Sequence, residues 1–428
     1  MFKLPDDTSC LAAFFYSLPT IYTILMKPST NNKKKKNRSL FYRISAWLHL
    51  WLGLVSGIVV VIISLTAALL TFEEEIRLVL EASREKVTKQ EGQVLLPPSQ
   101  LATAVKEKYG WPSVYGVMYR GEGRSAMIPY YRDRSNYQQA LVNPYTGEVL
   151  HNRKLNDDFF RFMLIGHYQL WLPRSIGKPV VAYSTLIFVI TLITGLILWW
   201  PKKWTRATKN ASFKVKWPAT PKRFNYDLHN VVGFYSLLIA LVLALTGMVY
   251  GMQWFRASSY WVASGGETET FERMHSDTTL VAAEDQIDED VLFTNLLQSG
   301  LDPDQNRFSI FYPRGAAGVW NMQVNPSLIN TFQSRNHYFE QGSLHLLKED
   351  PAFSTANGGD QLMKLNYDLH LGLIGGIWTK IIAFLACLIS ASLPITGFII
   401  WWGKEKKKRK NKAKSKQKVK QQRVPVPA

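Results

Sequence analysis

The sequence holds eight histidines, and four of them, His49, His167, His229 and His370, each adjoin a long apolar run. Two of the four, His229 and His370, close the same pentapeptide, "NYDLH", at 225–229 and 366–370. A neutral imidazole is a metal ligand. Two imidazoles on facing helices supply the axial pair of a hexacoordinate haem iron, and the interior of a helical bundle suits the apolar porphyrin disc. Gly53 and Gly233 each follow a histidine by four residues, one turn along the same helical face. A glycine there leaves room for a porphyrin plane, although glycine at this spacing also lets membrane helices pack closely without a cofactor. Zinc is the rival metal, but two histidines without cysteine or a nearby acid cluster fit a structural zinc site poorly. Asp227 and Asp368, two residues before their histidines, could cap the helix start or orient the imidazole. A histidine in the first helical turn would also have its charged form disfavoured by the positive helix end. His151, His275, His337 and His345 fall at unrelated places and read as surface or loop residues.

The elements that must position these histidines are four apolar blocks, Trp47–Phe72, Pro179–Trp200, His229–Met252 and Trp378–Trp402. Each is long enough to cross a bilayer, which takes roughly 20 residues. In a chain of 428 residues this explains how 47% hydrophobic content coexists with a formal net charge of +19. About half of the Lys and Arg lie in three segments abutting spans, Lys27–Arg43, Pro201–Asp227 and Gly403–Ala428, so all three are expected on the cytoplasmic side. Their position beside spans argues against nucleic-acid binding. The longer connections, 73–178 and 253–377, carry the acids and belong outside.

The chain accordingly divides into an N-terminal segment (1–40), span 1 (41–72), a first external domain (73–166), a pre-span helix with span 2 (167–204), a cytoplasmic loop (205–226), span 3 (227–253), a second external domain (254–365), a pre-span helix with span 4 (366–403) and a basic tail (404–428). The apolar run at 10–26 is broken by Pro19 and reads as an interfacial segment or as an overlong start ahead of Met26. Of two cysteines, Cys10 and Cys387, the second lies within span 4, so no structural disulfide is expected. No CxxCH occurs, which excludes c-type haem attachment.

Aligned on their histidines, the spans repeat. Gly53 and Thr66 follow His49 by 4 and 17 residues, and Gly233 and Thr246 follow His229 by the same intervals. "LITGLILWWPKK" and "LPITGFIIWWGKE" match in spans 2 and 4. The expected architecture is a four-span helical membrane bundle made of two duplicated units. Each unit would carry a small α+β external domain, a helix and an antiparallel sheet; in the first, Ser99 is expected to cap the helix of "PPSQLATAVKEKYG". Spans 1 and 3 start at their histidines, so His49 and His229 belong near the inner face. Spans 2 and 4 follow theirs by about ten residues, which places His167 and His370 on short pre-span helices near the outer face. Arg43 and Arg223 inside, and Arg174, Lys178 or Lys380 outside, could serve haem propionates or simply anchor the interface; Trp199, Trp200, Trp401 and Trp402 read as an aromatic belt.

"WLHLWLGLVSG", "HYQLWLP…TGLILWWPKK", "DLHNVVGFYS" and "DLHLGLIGG…TGFIIWWGK" resemble the PepSY-associated transmembrane family over nearly all of 40–404. The domain around 97–151, ending "VNPYTGEVL", looks like a PepSY domain, and the second external domain is a weaker match. Members are described as iron-regulated membrane proteins, and the branch with known activity includes inner-membrane ferric-siderophore reductases of the FoxB type. The resemblance therefore implies two b-type haems on His49, His167, His229 and His370, a bacterial inner membrane with both termini cytoplasmic and both external domains periplasmic, and a ferric chelate or siderophore as electron acceptor. Some relatives append a flavin and nicotinamide domain; no Gly-rich nucleotide fingerprint occurs in this sequence, so the expected donor is quinol or another reductase. Two other functions are open. PepSY domains are also associated with peptidase binding, which would make the protein a non-catalytic regulator. A siderophore transporter is the third, against which stands the scarcity of charge within the spans.

Overall fold

The computed structural model describes residues 38–131, 136–279 and 287–421, with side chains to residue 415. The run at 10–26 lies outside the described residues. At the start of the described residues the Arg38 guanidinium lies 4.1 Å from the Tyr42 ring centroid.

Four helices have the length and composition of membrane spans: Leu40–Thr71, Arg174–Trp199, Pro221–Gly251 and Ile377–Ser415. Large aliphatic side chains stand exposed along them, Ile58 at 72% and Leu238 at 66%, as expected of surfaces whose solvent is lipid. Hydroxyls inside the spans are satisfied locally: Ser56, Thr71 and Thr185 each donate to the carbonyl four residues earlier. Span 3 packs on spans 2 and 4, with Ala182, Val189, Ala244, Met248 and Met252 forming a small core. Span 1 passes span 4 at Gly57, where a Cβ would come within 3.1 Å of the Pro394 ring. The last helix continues beyond the fourth apolar block to Gln421.

Short helices precede spans 2 and 4, but they begin earlier than expected, at Phe159 and Gly358. Asp158 caps the first by accepting from the Arg161 amide, and Asn357 caps the second by accepting from that of Asp360. Each ends in a left-handed residue, Leu170 (φ 56°) and Gly372 (φ 71°), which turns the chain into the following span. His167 and His370 therefore sit in the last helical turn, not the first.

The two external segments do not form separate domains. Their strands are β1 (Gly116–Tyr119), β2 (Ala126–Tyr131), β3 (Tyr137–Val142), β4 (Val149–Lys154), β5 (Arg307–Phe311), β6 (Trp320–Asn325), β7 (Arg335–Phe339) and β8 (Leu346–Glu349). They join in one antiparallel sheet of order β4-β3-β2-β1-β5-β6-β7-β8. At the seam, Val117 pairs with Ile310 and Tyr119 with Phe308. Gly116 opens it, because a Cβ there would overlap the Ile310 carbonyl oxygen and lie 2.8 Å from the Phe311 Cα. Pairing β1 with β5 removes the free edge that two separate four-stranded sheets would each present. The helices Pro98–Tyr109 and Asp288–Gln298 share one core over the sheet, where Leu101, Val105, Leu292 and Phe293 meet Tyr119, Phe308 and Ile310. Ser99 is not a cap; it lies inside its helix, and its amide and hydroxyl donate to Asp290 at 3.0 and 2.5 Å.

A buried ion network ties the sheet to the spans. Beyond span 1, Arg77 contacts Glu73 (2.9 Å), Glu81 (3.0 Å) and the capping Asp158 (2.7 Å). Glu85, 1% exposed, meets Arg120 (2.8 Å), Arg153 (2.6 Å) and Arg124 (3.4 Å). Burial favours the protonated form of Glu85, but the Arg120 and Arg153 guanidiniums outweigh it and bring its carboxyl down to about 2. A carboxyl depressed on folding contributes stability that is complete above the unfolded value of 4.5 and is lost as pH falls toward about 2. Limited proteolysis of the sheet domain is expected to accelerate across that window, and to do so less in Glu85→Gln.

Candidate functional site

The structure brings the four histidines together in two pairs. The rings of His49 and His229 lie with centroids 6.1 Å apart, those of His167 and His370 at 6.0 Å. The pairs occupy opposite ends of the bundle: span 1 carries His49 at one end and holds His167 through Ile63 and Thr66 near the other, about 26 Å of helix further on.

Each imidazole is held through Nδ1 by a neighbouring span, in the same way four times. Nδ1 of His49 meets the Thr191 carbonyl at 3.0 Å and the Thr194 hydroxyl at 3.4 Å. His167 meets the Ile63 carbonyl at 2.8 Å and Thr66 at 3.4 Å. His370 meets the Leu243 carbonyl at 3.1 Å and Thr246 at 3.0 Å. His229 meets Thr396 at 2.9 Å, with the Leu393 carbonyl as its backbone partner. In every case the carbonyl belongs to the residue three before the threonine. The four threonine hydroxyls donate to carbonyls of their own helices, so toward the imidazole they accept. A carbonyl can only accept, so Nδ1 carries the proton and Nε2 keeps the lone pair. The residue after each threonine is small: Ala67, Gly195, Gly247 and Gly397. A Cβ on the three glycines would lie 3.1–3.2 Å from the imidazole it faces.

This is the outer-shell arrangement that fixes a ligating histidine's tautomer and raises its basicity. The ring separation fits as well. With metal–nitrogen bonds of about 2 Å and a ring radius of about 1.2 Å, two imidazoles on one metal hold their centroids roughly 6.3 Å apart. An ordinary edge-to-face ring pair has a similar spacing; the anchored Nδ1 atoms and the glycines distinguish the present pairs. Among the described residues no group of three or more His, Cys, Asp or Glu is placed to hold a metal ion. Each pair offers two imidazole nitrogens.

Other residues take different places from those expected. Gly233 abuts Leu393, 3.1 Å from where its Cβ would be, and marks close passage of spans 3 and 4; at Gly53 a Cβ would meet the Thr191 methyl at an ordinary 4.0 Å. Asp227 and Asp368 are fully buried but neither caps a helix nor bonds an imidazole. Asp227 binds Arg223 (2.7 Å) and the Lys216 amide (3.2 Å); Asp368 accepts from the amides of Thr331 and Phe332 (both 2.7 Å) and the Thr331 hydroxyl (2.8 Å). Each ties a connecting segment to a histidine-bearing helix. No histidine of the four lies in a first turn, because the helices start one or more turns earlier. His229 lies instead in a π-turn over Leu228–Val232, a local widening often found at functional sites. Burial keeps His167 below its ordinary value, and burial with the neighbouring His167 brings His370 down to about 4. Both sit at helix C-termini, which favour a cation; desolvation outweighs that preference. Arg223 is engaged by Asp227, and Lys380, 6% exposed, by Glu75 at 2.6 Å. Trp199 is not a belt residue: it is buried, stacks on Phe234 at 3.8 Å and donates to the Ser212 carbonyl. Trp200 and Trp402 are exposed.

The threonines were missed as functional residues, although the sequence marks them: each of the four stands in a short "T-small" step that recurs in every span.

Fold and site together define a membrane protein in which four apolar helices present paired histidines next to an antiparallel sheet domain. The chain belongs to the PepSY-associated TM region family, whose family model matches residues 46–404. Comparison with curated proteins gives no match.

Proposed function

We propose that the protein is a bacterial inner-membrane electron-transfer protein with two b-type haems, one on His49 and His229 and the other on His167 and His370, that reduces a periplasmic ferric chelate such as a ferric siderophore. The observation that carries this reading is the fourfold anchoring of Nδ1, which leaves two Nε2 lone pairs in each pair. In this reading the basic loop 201–227 and the tail are cytoplasmic, the sheet domain is periplasmic and the two halves descend from one duplicated unit. The haems would supply one-electron chemistry. The residues supply the rest: carbonyls and threonines keep each imidazole neutral and aimed, and the apolar spans insulate the path. Tyr250, half-exposed and edge-on to His370 at 5.8 Å, puts an aromatic surface beside the outer pair.

One electron converts the chelated Fe(III) to Fe(II), which an oxygen-rich chelator holds far less tightly. The electrons come from a quinol or a partner reductase. Anaerobic mixing of the reduced protein with a panel of ferric chelates tests the assignment. Reoxidation with appearance of Fe(II), trapped by a ferrous-specific dye, is expected. A reduced protein that no ferric chelate reoxidises would remove the reductase assignment.

A further inference from the structure

The two copies of "NYDLH" lie at opposite ends of the bundle, yet they make the same contact. Asn225 donates to the Thr396 carbonyl at 3.1 Å, and Asn366, 2% exposed, to the Thr246 carbonyl at 3.3 Å. These are the threonines whose hydroxyls accept from His229 and His370, four residues further on. Asparagine and histidine four apart share one helical face. Together they grip one neighbouring helix at two points: the amide on the threonine carbonyl, the imidazole on the threonine hydroxyl and the carbonyl one turn back. A carbonyl has two lone pairs, so it accepts this amide without leaving a helix ladder.

The other two histidines follow different residues. The residue four before His49 is Ser45, and four before His167 is Met163; neither carries an amide. Their threonine hydroxyls lie farther off, at 3.4 Å against 2.9 and 3.0 Å, whereas their carbonyl contacts, 3.0 and 2.8 Å, are no longer than the 3.1 Å of His370.

We infer that Asn225 and Asn366 are positioning residues, each holding the threonine turn against which one histidine of its pair is aimed; the inference rests on the haem reading above. A firm Nδ1–H···O contact places electron density on Nε2 and favours the oxidised metal. Loosening the clamp weakens that contact and raises the midpoint potential of its own pair.

The test is a potentiometric titration of the full-length purified protein, followed by low-temperature reduced-minus-oxidised spectra that resolve the two components. Asn366→Ala is expected to move one component to higher potential, and Asn225→Ala the other, with two haems per chain retained in both. Asn366→Leu, which keeps the side-chain volume, should repeat the first shift if the alanine protein folds poorly. Met163→Ala should move neither. Potentials unchanged in both asparagine variants, or the same component moved by both, would overturn the clamp. A wild-type protein without haem would instead overturn the reading on which it rests.

Discussion

Replacing His229 with Ala is expected to remove about half of the haem, and adding His49→Ala to remove little more. The two rings face each other at 6.1 Å, while their anchors come from spans 4 and 2. On the proposed di-haem reading, loss of one imidazole would leave a single nitrogen donor in an apolar site, too little to retain the cofactor through purification. The second substitution then acts on a site already lost, so the two effects are strongly non-additive. His167 and His370 are held by Ile63, Thr66, Leu243 and Thr246, none of which touches the inner pair, so the outer site should stay loaded. Pyridine haemochrome assays on the single and double variants check this. Loss of both haems from a folded double variant would contradict the pairing.

The second large effect concerns stability. Glu85→Ala should destabilise the sheet domain by about 3–5 kcal/mol, the usual consequence of deleting one partner of a buried ionic cluster. The carboxylate is 1% exposed and faces Arg120, Arg153 and Arg124, whose other acidic partners are Glu81, Glu74 and, at 3.9 Å, Asp158. The network also reaches Asp158, the cap of the helix that carries His167 in its last turn. The damage should therefore extend to the outer histidine pair and spare the inner one. Hydrogen exchange should show faster opening of residues 73–169, with little change around His49 and His229.

Spans, their order and the partnership of His49 with His229 and of His167 with His370 could be read from the sequence because they rest on strong, local signals. An apolar run has one stable solution in a bilayer, and alternating span direction sorts the histidines to two ends. The joining of the external segments could not be read in the same way. Val117 meets Ile310 across nearly 200 residues of chain, and short alternating strands carry no mark of which edge they will seek. The two aspartates of "NYDLH" misled for a related reason. A carboxylate shortly before an apolar run suggests a cap, but here the helices begin earlier, at Pro221 and Gly358, and the acids are spent on tertiary contacts. The Asn and His that the two pentapeptides share make the same grip on one threonine, while their aspartates are used differently.

The most direct test of the account is haem stoichiometry in the purified, haem-replete protein, read with its reduced-minus-oxidised spectrum. The proposed function predicts two haems per chain with low-spin b-type bands. A folded protein that stays colourless, or one that binds a single haem unaffected by substitution of His229 or His370, would contradict it.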